Sequence, residues 1–366
     1  MPHGKYGINM SFSTFYANKT VLVTGHTGFK GGWLTAWLKH LGAKVIGLSL
    51  PPEEGRPSLF ETANIGRDTV SILGDIRDLP ALTSVFAEHS PEIVFHLAAQ
   101  PLVRRSYREP VETYATNVMG TVGVLEAARH TPSVRAVIVI TSDKCYENRE
   151  WVWGYREEDA MGGYDPYSSS KGCTEIVAKA YRNSFFKEEG RIQMATARAG
   201  NVIGGGDWAE DRLIPDIIRA LSAGEPIVIR NPDSIRPWQH VLEPLRGYLM
   251  LGERLWEGSD AFAQGWNFGP RDDDAIPVGD VVERVISYWG SGEFVINKSD
   301  TLHEANYLKL DCSKARSRLG WTPVLTIDDA LELTVAWYRA YLDDPKFMSE
   351  VTTRQIQAYM ERSSNG

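Results

Sequence analysis

Five side chains of this 366-residue chain stand at spacings that suit proton transfer. Tyr167 and Lys171 lie four residues apart in Tyr167-Ser168-Ser169-Ser170-Lys171, just after the turn residues Tyr164-Asp165-Pro166. A helix over this stretch sets both on one face. An ammonium there lowers a phenol from its ordinary value near ~10, so that tyrosinate becomes a base near neutral pH. A second group, Thr141-Ser142-Asp143-Lys144, follows an apolar run and offers a hydroxyl, a carboxyl and an amine side by side. A tyrosine–lysine pair at this spacing also arises by chance, and Ser142 and Asp143 also suit a plain turn cap. Their joint presence is what favours chemistry.

A third group suits a nucleotide. Thr24-Gly25-His26-Thr27-Gly28-Phe29-Lys30-Gly31 has the spacing G-x-x-G-x-x-G and sits between an apolar run and a helical stretch. Gly25 permits a tight turn, Gly28 a close approach of backbone to phosphate, and Gly31 close helix–strand packing; Thr27, Phe29 and Lys30 fill the loop. The helix start then offers amide donors and a positive dipole end to a pyrophosphate. Asp75, in Gly74-Asp75-Ile76, either bonds an adenine amino group or caps the following helix. The second apolar run ends in Leu48-Ser49-Leu50 without an acid, and only Glu53 follows, so this position does not separate NAD from NADP.

These residues need a scaffold, and the apolar rhythm supplies one. Short, β-branched-rich runs at 20–24, 44–48, 69–73, 93–97, 136–141 and 193–198 read as strands buried on both faces. Helical stretches at 32–41, 81–88, 117–129 and 167–187 alternate with them. Alternation of this kind predicts an α/β fold, a doubly wound parallel sheet of Rossmann type, with ligands at the carboxyl ends of its strands. After Gly200 the pattern becomes irregular: a helix near 214–223, a strand near 226–229, a helix at 278–289 and a final helix at 327–341. This predicts a smaller mixed α/β lobe. The expected division is 1–198 for a dinucleotide, with 241–275 returning to it, and 199–240 plus 276–366 for the substrate.

Composition narrows the partners. Thirty-nine basic against 47 acidic residues leave a net charge of −8, which argues against nucleic acid. Cys145, Cys173 and Cys312 are too few and too scattered for a disulfide framework or a metal site. No apolar stretch approaches a membrane span, and residues 1–19 lack the pattern of a secretory leader. A cytoplasmic location is expected, with no membrane, metal or nucleic-acid partner.

The chain resembles the extended short-chain dehydrogenase/reductase family over roughly residues 19–325, through the glycine loop, His96-Leu97-Ala98-Ala99, Asn117, Ser142, Tyr167 and Lys171. Asp143 followed by an ionisable residue resembles its nucleotide-sugar 4,6-dehydratases. So does Arg198-Ala199-Gly200-Asn201-Val202-Ile203-Gly204-Gly205-Gly206-Asp207-Trp208. The resemblance implies NAD as cofactor, with Gly25, Thr27, Gly28, Phe29, Lys30, Gly31, Asp75, Ile76, Ala98, Ala99, Asn117, Tyr167 and Lys171 around it. It implies that Tyr167, with Ser142 and Lys171, takes the proton of a sugar 4-hydroxyl while hydride leaves. Asp143 then protonates the departing 6-hydroxyl. Lys144 stands where these dehydratases have a glutamate, and is either the carbon-5 base or a charged stabiliser of the enolate.

For the substrate, the resemblance implies a CDP-sugar for deoxysugar synthesis of the lipopolysaccharide type. Asn201, Arg236 and Trp238 match its diphosphate contacts; Arg212 and His240 are added as donors, although Arg212 equally reads as a surface residue. Gln100, Arg104 and Arg105 approach the sugar by position alone, and His303 and Tyr307 either close the pocket or pack. Apolar residues on 117–129 and 167–187 imply a homodimer built as a four-helix bundle. The other readings are a 4-epimerase, a dehydratase for a dTDP- or GDP-sugar, and a regulator that senses a dinucleotide. Asp143–Lys144 argues against the epimerase, and the presence of both Tyr167 and Lys171 against the regulator.

Overall fold

The computed structural model describes residues 12–187, 190–297 and 307–364. Its centre is a sheet of seven parallel strands: β1 (Thr20–Thr24), β2 (Lys44–Ser49), β3 (Val70–Leu73), β4 (Ile93–His96), β5 (Ala136–Ile140), β6 (Gln193–Arg198) and β11 (Gly265–Asn267). They run in the order β11-β6-β5-β4-β1-β2-β3. The chain therefore winds outward in both directions from β1, the arrangement expected of a doubly wound sheet.

Strand alternation builds two cores. Val21, Val23, Phe95, Ile138 and Ile140 point to one face, against Trp33, Leu34, Trp37 and Leu38 of α1 (Phe29–His40). Leu22, Val94, Val137 and Val139 point to the other, against Leu82 of α2 (Leu79–His89) and Val124 and Leu125 of α3 (Gly120–Arg129). Strand residues are mostly apolar where both faces are covered, which is why β5 reads as an unbroken hydrophobic run and β4 as one that ends only at the buried His96. Helix α4 (Pro166–Tyr181), capped by Asp165 accepting from the Ser168 amide, crosses from the second face and carries Tyr167 and Lys171. Asn117 lies in a single π-helical turn, Ala115–Met119, ahead of α3, where the sequence predicts plain helix.

The remainder is a mixed lobe. It contains α5 (Leu213–Ala223) and α7 (Val278–Trp289), with three two-stranded pairs: β7 (Val202–Ile203) with β10 (Gln239–His240), β8 (Ile227–Ile229) with β13 (Phe294–Ile296), and β9 (Ile235–Pro237) with β12 (Ala275–Pro277). Helix α6 (Leu242–Trp256) lies between these pairs in sequence but packs on β5 and β6, and β11 then extends the sheet. The lobe shares its apolar interior with the first face of the sheet: Ile217, Ile227, Val281, Trp321 and Trp337 belong to one cluster with Val21 and Trp33.

Helix α8 (Ile327–Asp343) is not the last one. A further helix, α9 (Met348–Ser364), returns to α1, where Tyr359 meets Trp37 edge-on at 5.6 Å and donates to Glu243 Oε2 at 2.8 Å. Its sequence is mostly polar, with fully buried apolar anchors at Met348, Ile356 and Tyr359 and partly buried ones at Val351 and Met360, too sparse a stripe to signal a helix.

Candidate active site

The carboxyl ends of β1, β4, β5 and β6 open onto one cleft of about 1520 Å³ between the sheet and the lobe. On the sheet side lies the glycine loop. Gly25 has φ +79°, and a Cβ on it would stand 2.8 Å from the Ala98 nitrogen; a Cβ on Gly31 would overlap the Gly25 carbonyl. These two glycines are required by turn and packing. Gly28 is different: it is exposed, and a Cβ there meets only the Gly25 carbonyl, at 3.3 Å. It is the N-cap of α1 and offers no side chain to the first-turn amides. An open, bare Cα beside uncapped amides at the switch point of a parallel sheet fits a dinucleotide pyrophosphate.

The other residues expected around a dinucleotide divide into supports and linings. Thr27 turns inward, donating to the Leu50 carbonyl at 2.8 Å and accepting from Ser49 at 2.7 Å. Asn117 locks the loop after β4 to α4: it accepts from the Gln100 amide at 2.8 Å and donates to Ser170 at 2.8 Å. Ala98 donates its amide to Thr24 at 3.2 Å, and Ala99 follows half-buried. Asp75 does not cap α2; Asp78 does, accepting from Ala81. The Asp75 carboxylate instead holds Arg77, which keeps its pKa below the usual carboxylate value. Ile76 beside it is buried under Gly120.

The catalytic candidates do come together. Ser142 ends β5, caps the short turn Asp143–Cys145, and donates to Asp143 Oδ1 at 2.9 Å. Asp143 is buried with the Gly200 Cα against its carboxylate, so that any Cβ at 200 would overlap it. Lys144 is half-buried on the cleft wall. Tyr167 and Lys171 are both buried, one turn apart on α4.

The electrostatics differ from the sequence expectation. Burial pushes Tyr167 up to about 12, opposed mainly by its hydrogen bond with Ser142 and more weakly by the charge of Arg212. The cation acting on the phenol is therefore Arg212, whereas Lys171 Nζ donates to the Ile140 carbonyl at 3.4 Å. Burial, and then the charge of Lys30, pull Lys171 down to about 7. Lys30 itself is drawn down to about 8 by burial and by Arg212, against Asp143 and Asp207. In space Lys30, from the glycine loop, is the amine that faces Lys171 and Asp143.

On the lobe side, Arg212 donates to Asp207 Oδ2 at 2.8 Å and lines the cleft, so it is not a surface arginine. Asn201 (φ +47°), Arg236 on β9 and Trp238 line it as well. His240 does not: it is fully buried, edge-on to Trp33 at 6.0 Å, and burial lowers its pKa to about 3. It is a packing residue, because β10 turns its side chain toward α1. Gln100 is tied up with Asn117 and Thr113, and Arg105 pairs outward with Glu109. Arg104 reaches the cleft. Tyr307 donates to the Val152 carbonyl at 3.2 Å, and His303 lies outside the described residues.

One support went unforeseen. Under the strand ends, Arg198 and Glu175 form a buried bidentate pair, Nε to Oε1 and Nη2 to Oε2 both at 2.8 Å, with Thr141 and Thr196 donating to the same carboxylate. Glu175 stands eight residues after Tyr167, a signal visible only once α4 is known to cross β5 and β6.

The family model described as GDP-mannose 4,6 dehydratase matches residues 22–334. The chain belongs to that family. It is 52% identical over 355 residues to a CDP-glucose 4,6-dehydratase of Salmonella typhimurium, covering 96% of this chain and 98% of that one. It is 27% identical to dTDP-glucose 4,6-dehydratase 1 of Escherichia coli, covering 94% and 99%. In fold, this member of the family is similar to a UDP-glucose 4-epimerase of Thermotoga maritima (TM-score 0.77, 24% identity, 88% and 99% covered). It is also similar to a dTDP-glucose 4,6-dehydratase of Bacillus anthracis in complex with NAD (TM-score 0.73, 22% identity, 89% and 98% covered). Among the described residues no helix is long and apolar enough to cross a membrane.

Proposed function

We propose that the chain is an NAD-dependent hydro-lyase converting CDP-D-glucose to CDP-4-keto-6-deoxy-D-glucose and water. The observation that carries this reading is the convergence of Ser142, Asp143, Lys144 and Tyr167 on one cleft, with Lys171 buried one turn behind Tyr167, beside a glycine loop fit for a dinucleotide. The 52% identity to a CDP-glucose 4,6-dehydratase supports cytosine over other bases.

A bound NAD would supply hydride acceptance from sugar carbon 4 and its return at carbon 6. Gly25, Gly28 and Gly31 with Phe29 and the start of α1 would hold its pyrophosphate, and Ala98, Ala99, Asn117 and Lys171 its nicotinamide half. Asp75, held by Arg77, and Ile76 flank the adenine end. Tyr167 accepts the proton of the 4-hydroxyl; Ser142 and Arg212 counter part of the burial that disfavours its anion. The 4-ketone acidifies carbon 5, where Lys144 takes the proton or, staying charged, stabilises the enolate. Asp143, carrying a proton at that step, gives it to the departing 6-hydroxyl; burial next to Ser142 keeps it oriented. Asn201, Arg212, Arg236 and Trp238 receive the nucleoside diphosphate from the lobe.

This assigns 1–198 with 241–275 to NAD, and 199–240 with 276–366 to the nucleotide sugar. A homodimer is supported by Val111, Tyr114, Met119 and Ile176, apolar yet exposed on the helices that lead into α3 and on α4. The product suits cytoplasmic deoxysugar synthesis for lipopolysaccharide. The deciding experiment incubates the protein with NAD and CDP-, dTDP-, GDP- and UDP-sugars, reading the 4-keto chromophore in alkali. Turnover of CDP-glucose alone is expected; preference for another nucleotide, or no turnover of any, refutes the assignment.

A further inference from the structure

The cleft wall holds an acid that no step of the dehydration uses. Asp211 lies in the segment 207–212 that leads into α5, with φ +56°, in the left-handed region that favours glycine. Its Oδ1 faces two guanidinium groups. Arg104 Nε stands 3.5 Å away, from the helix Val103–Arg108 that follows β4, and Arg230 Nη2 stands 3.7 Å away, from the end of β8. All three side chains line the cleft and keep 30%, 21% and 39% of their surface for Asp211, Arg104 and Arg230. The neighbouring Glu210 faces elsewhere, toward Arg56 of the loop after β2.

Two arginines, one from the sheet side and one from the lobe, thus converge on a single carboxylate oxygen across the cleft. Guanidinium groups match phosphate oxygens better than a single carboxylate oxygen, because two parallel N–H donors can engage at once. Both pairs are longer than a hydrogen bond, and partly exposed pairs of this kind are worth at most about 1 kcal/mol each. A carboxylate held so loosely is easily displaced.

We propose that Asp211 is a placeholder anion: it holds Arg104 and Arg230 in the cleft until the diphosphate of the nucleotide sugar replaces it on both. This rests on the substrate reading above. Asp211 is a positioning residue that weakens substrate binding by competing with it and helps product to leave. Removing its charge therefore tightens binding, the opposite of what loss of a merely structural residue does.

The test is titration of the NAD-loaded protein with CDP, together with KM and kcat for CDP-glucose. Asp211→Asn is expected to bind CDP about fivefold tighter, the factor equivalent to about 1 kcal/mol, and to lower KM. Asp211→Gly, which suits the positive φ and also lacks the charge, should show the same gain and guards against a folding defect. Glu210→Gln should show none, and the gain should vanish in the Arg104→Met/Arg230→Met background. Unchanged or weaker CDP binding in both Asp211 variants overturns the proposal, as does an equal gain in Glu210→Gln or a gain that survives loss of both arginines. If the unmodified protein binds no CDP and leaves CDP-glucose untouched, the substrate reading fails instead.

Discussion

Replacing Glu175 by glutamine tests whether the buried pair beneath the active site governs stability. Glu175 and Arg198 are each 5% exposed at the side chain, and the carboxylate accepts four hydrogen bonds: Arg198 Nε and Nη2 at 2.8 Å, Thr141 Oγ1 at 2.5 Å and Thr196 Oγ1 at 2.7 Å. Gln removes the charge and turns an NH2 donor toward groups that are themselves donors. Arg198 is then left as a buried cation with neutral partners, Tyr146 and the Glu157 carbonyl. Removing one partner of such a pair costs about 3–5 kcal/mol, whereas an exposed pair costs at most about 1 kcal/mol. Urea unfolding followed by circular dichroism should show the midpoint fall by that amount divided by m, with m unchanged. The double variant Glu175→Leu/Arg198→Met should recover most of the loss, since an apolar pair needs no compensation. A single-variant loss under about 1 kcal/mol, or a double variant as unstable as the sum of its singles, refutes the reasoning. Because Thr141 precedes Ser142, turnover should fall in the single variant as well.

Three further outcomes are expected. Burial, then Lys30, bring Lys171 from 10.5 to about 7, so the unfolded chain holds a proton between these values that the folded chain has released. Stability of the NAD-free protein should consequently rise with pH from about 7 toward 10, and the rise should flatten in Lys171→Met; parallel unfolding midpoints across pH for the two would contradict this. Gly200→Ala drives a methyl into the Asp143 carboxylate and should cut dehydration at least about a hundredfold while NAD binding, read by fluorescence, persists. Lys144→Ala should stop washout of the carbon-5 hydrogen into deuterated water; exchange at the normal rate would remove both roles assigned to Lys144.

What the chain discloses locally, it disclosed in its sequence. The turn at Gly25, the Tyr167–Lys171 face and the Ser142–Asp143 turn all depend on backbone conformations set within a few residues, whereas α1 starts at Phe29, ahead of the expected 32. Strands buried on both faces announce themselves by mostly apolar runs, hence the legibility of β1, β4 and β5. Helix α9 escaped because a few apolar anchors among mostly polar residues make no clear periodic stripe.

Charge and burial were decided only by the tertiary structure, because they depend on which segments meet. Arg212 stands 45 positions beyond Tyr167 yet is the cation that acts on it, while Lys30 crosses from the glycine loop to Lys171 and Asp143. His240, a donor on paper, is turned by β10 into the core against Trp33. Asp211 meets Arg104 and Arg230 only because the lobe folds over the sheet. Sequence determined which groups are available and the local geometry of each; Coulomb and desolvation energies, which vary with distance and solvent access through space, determined which groups act on which.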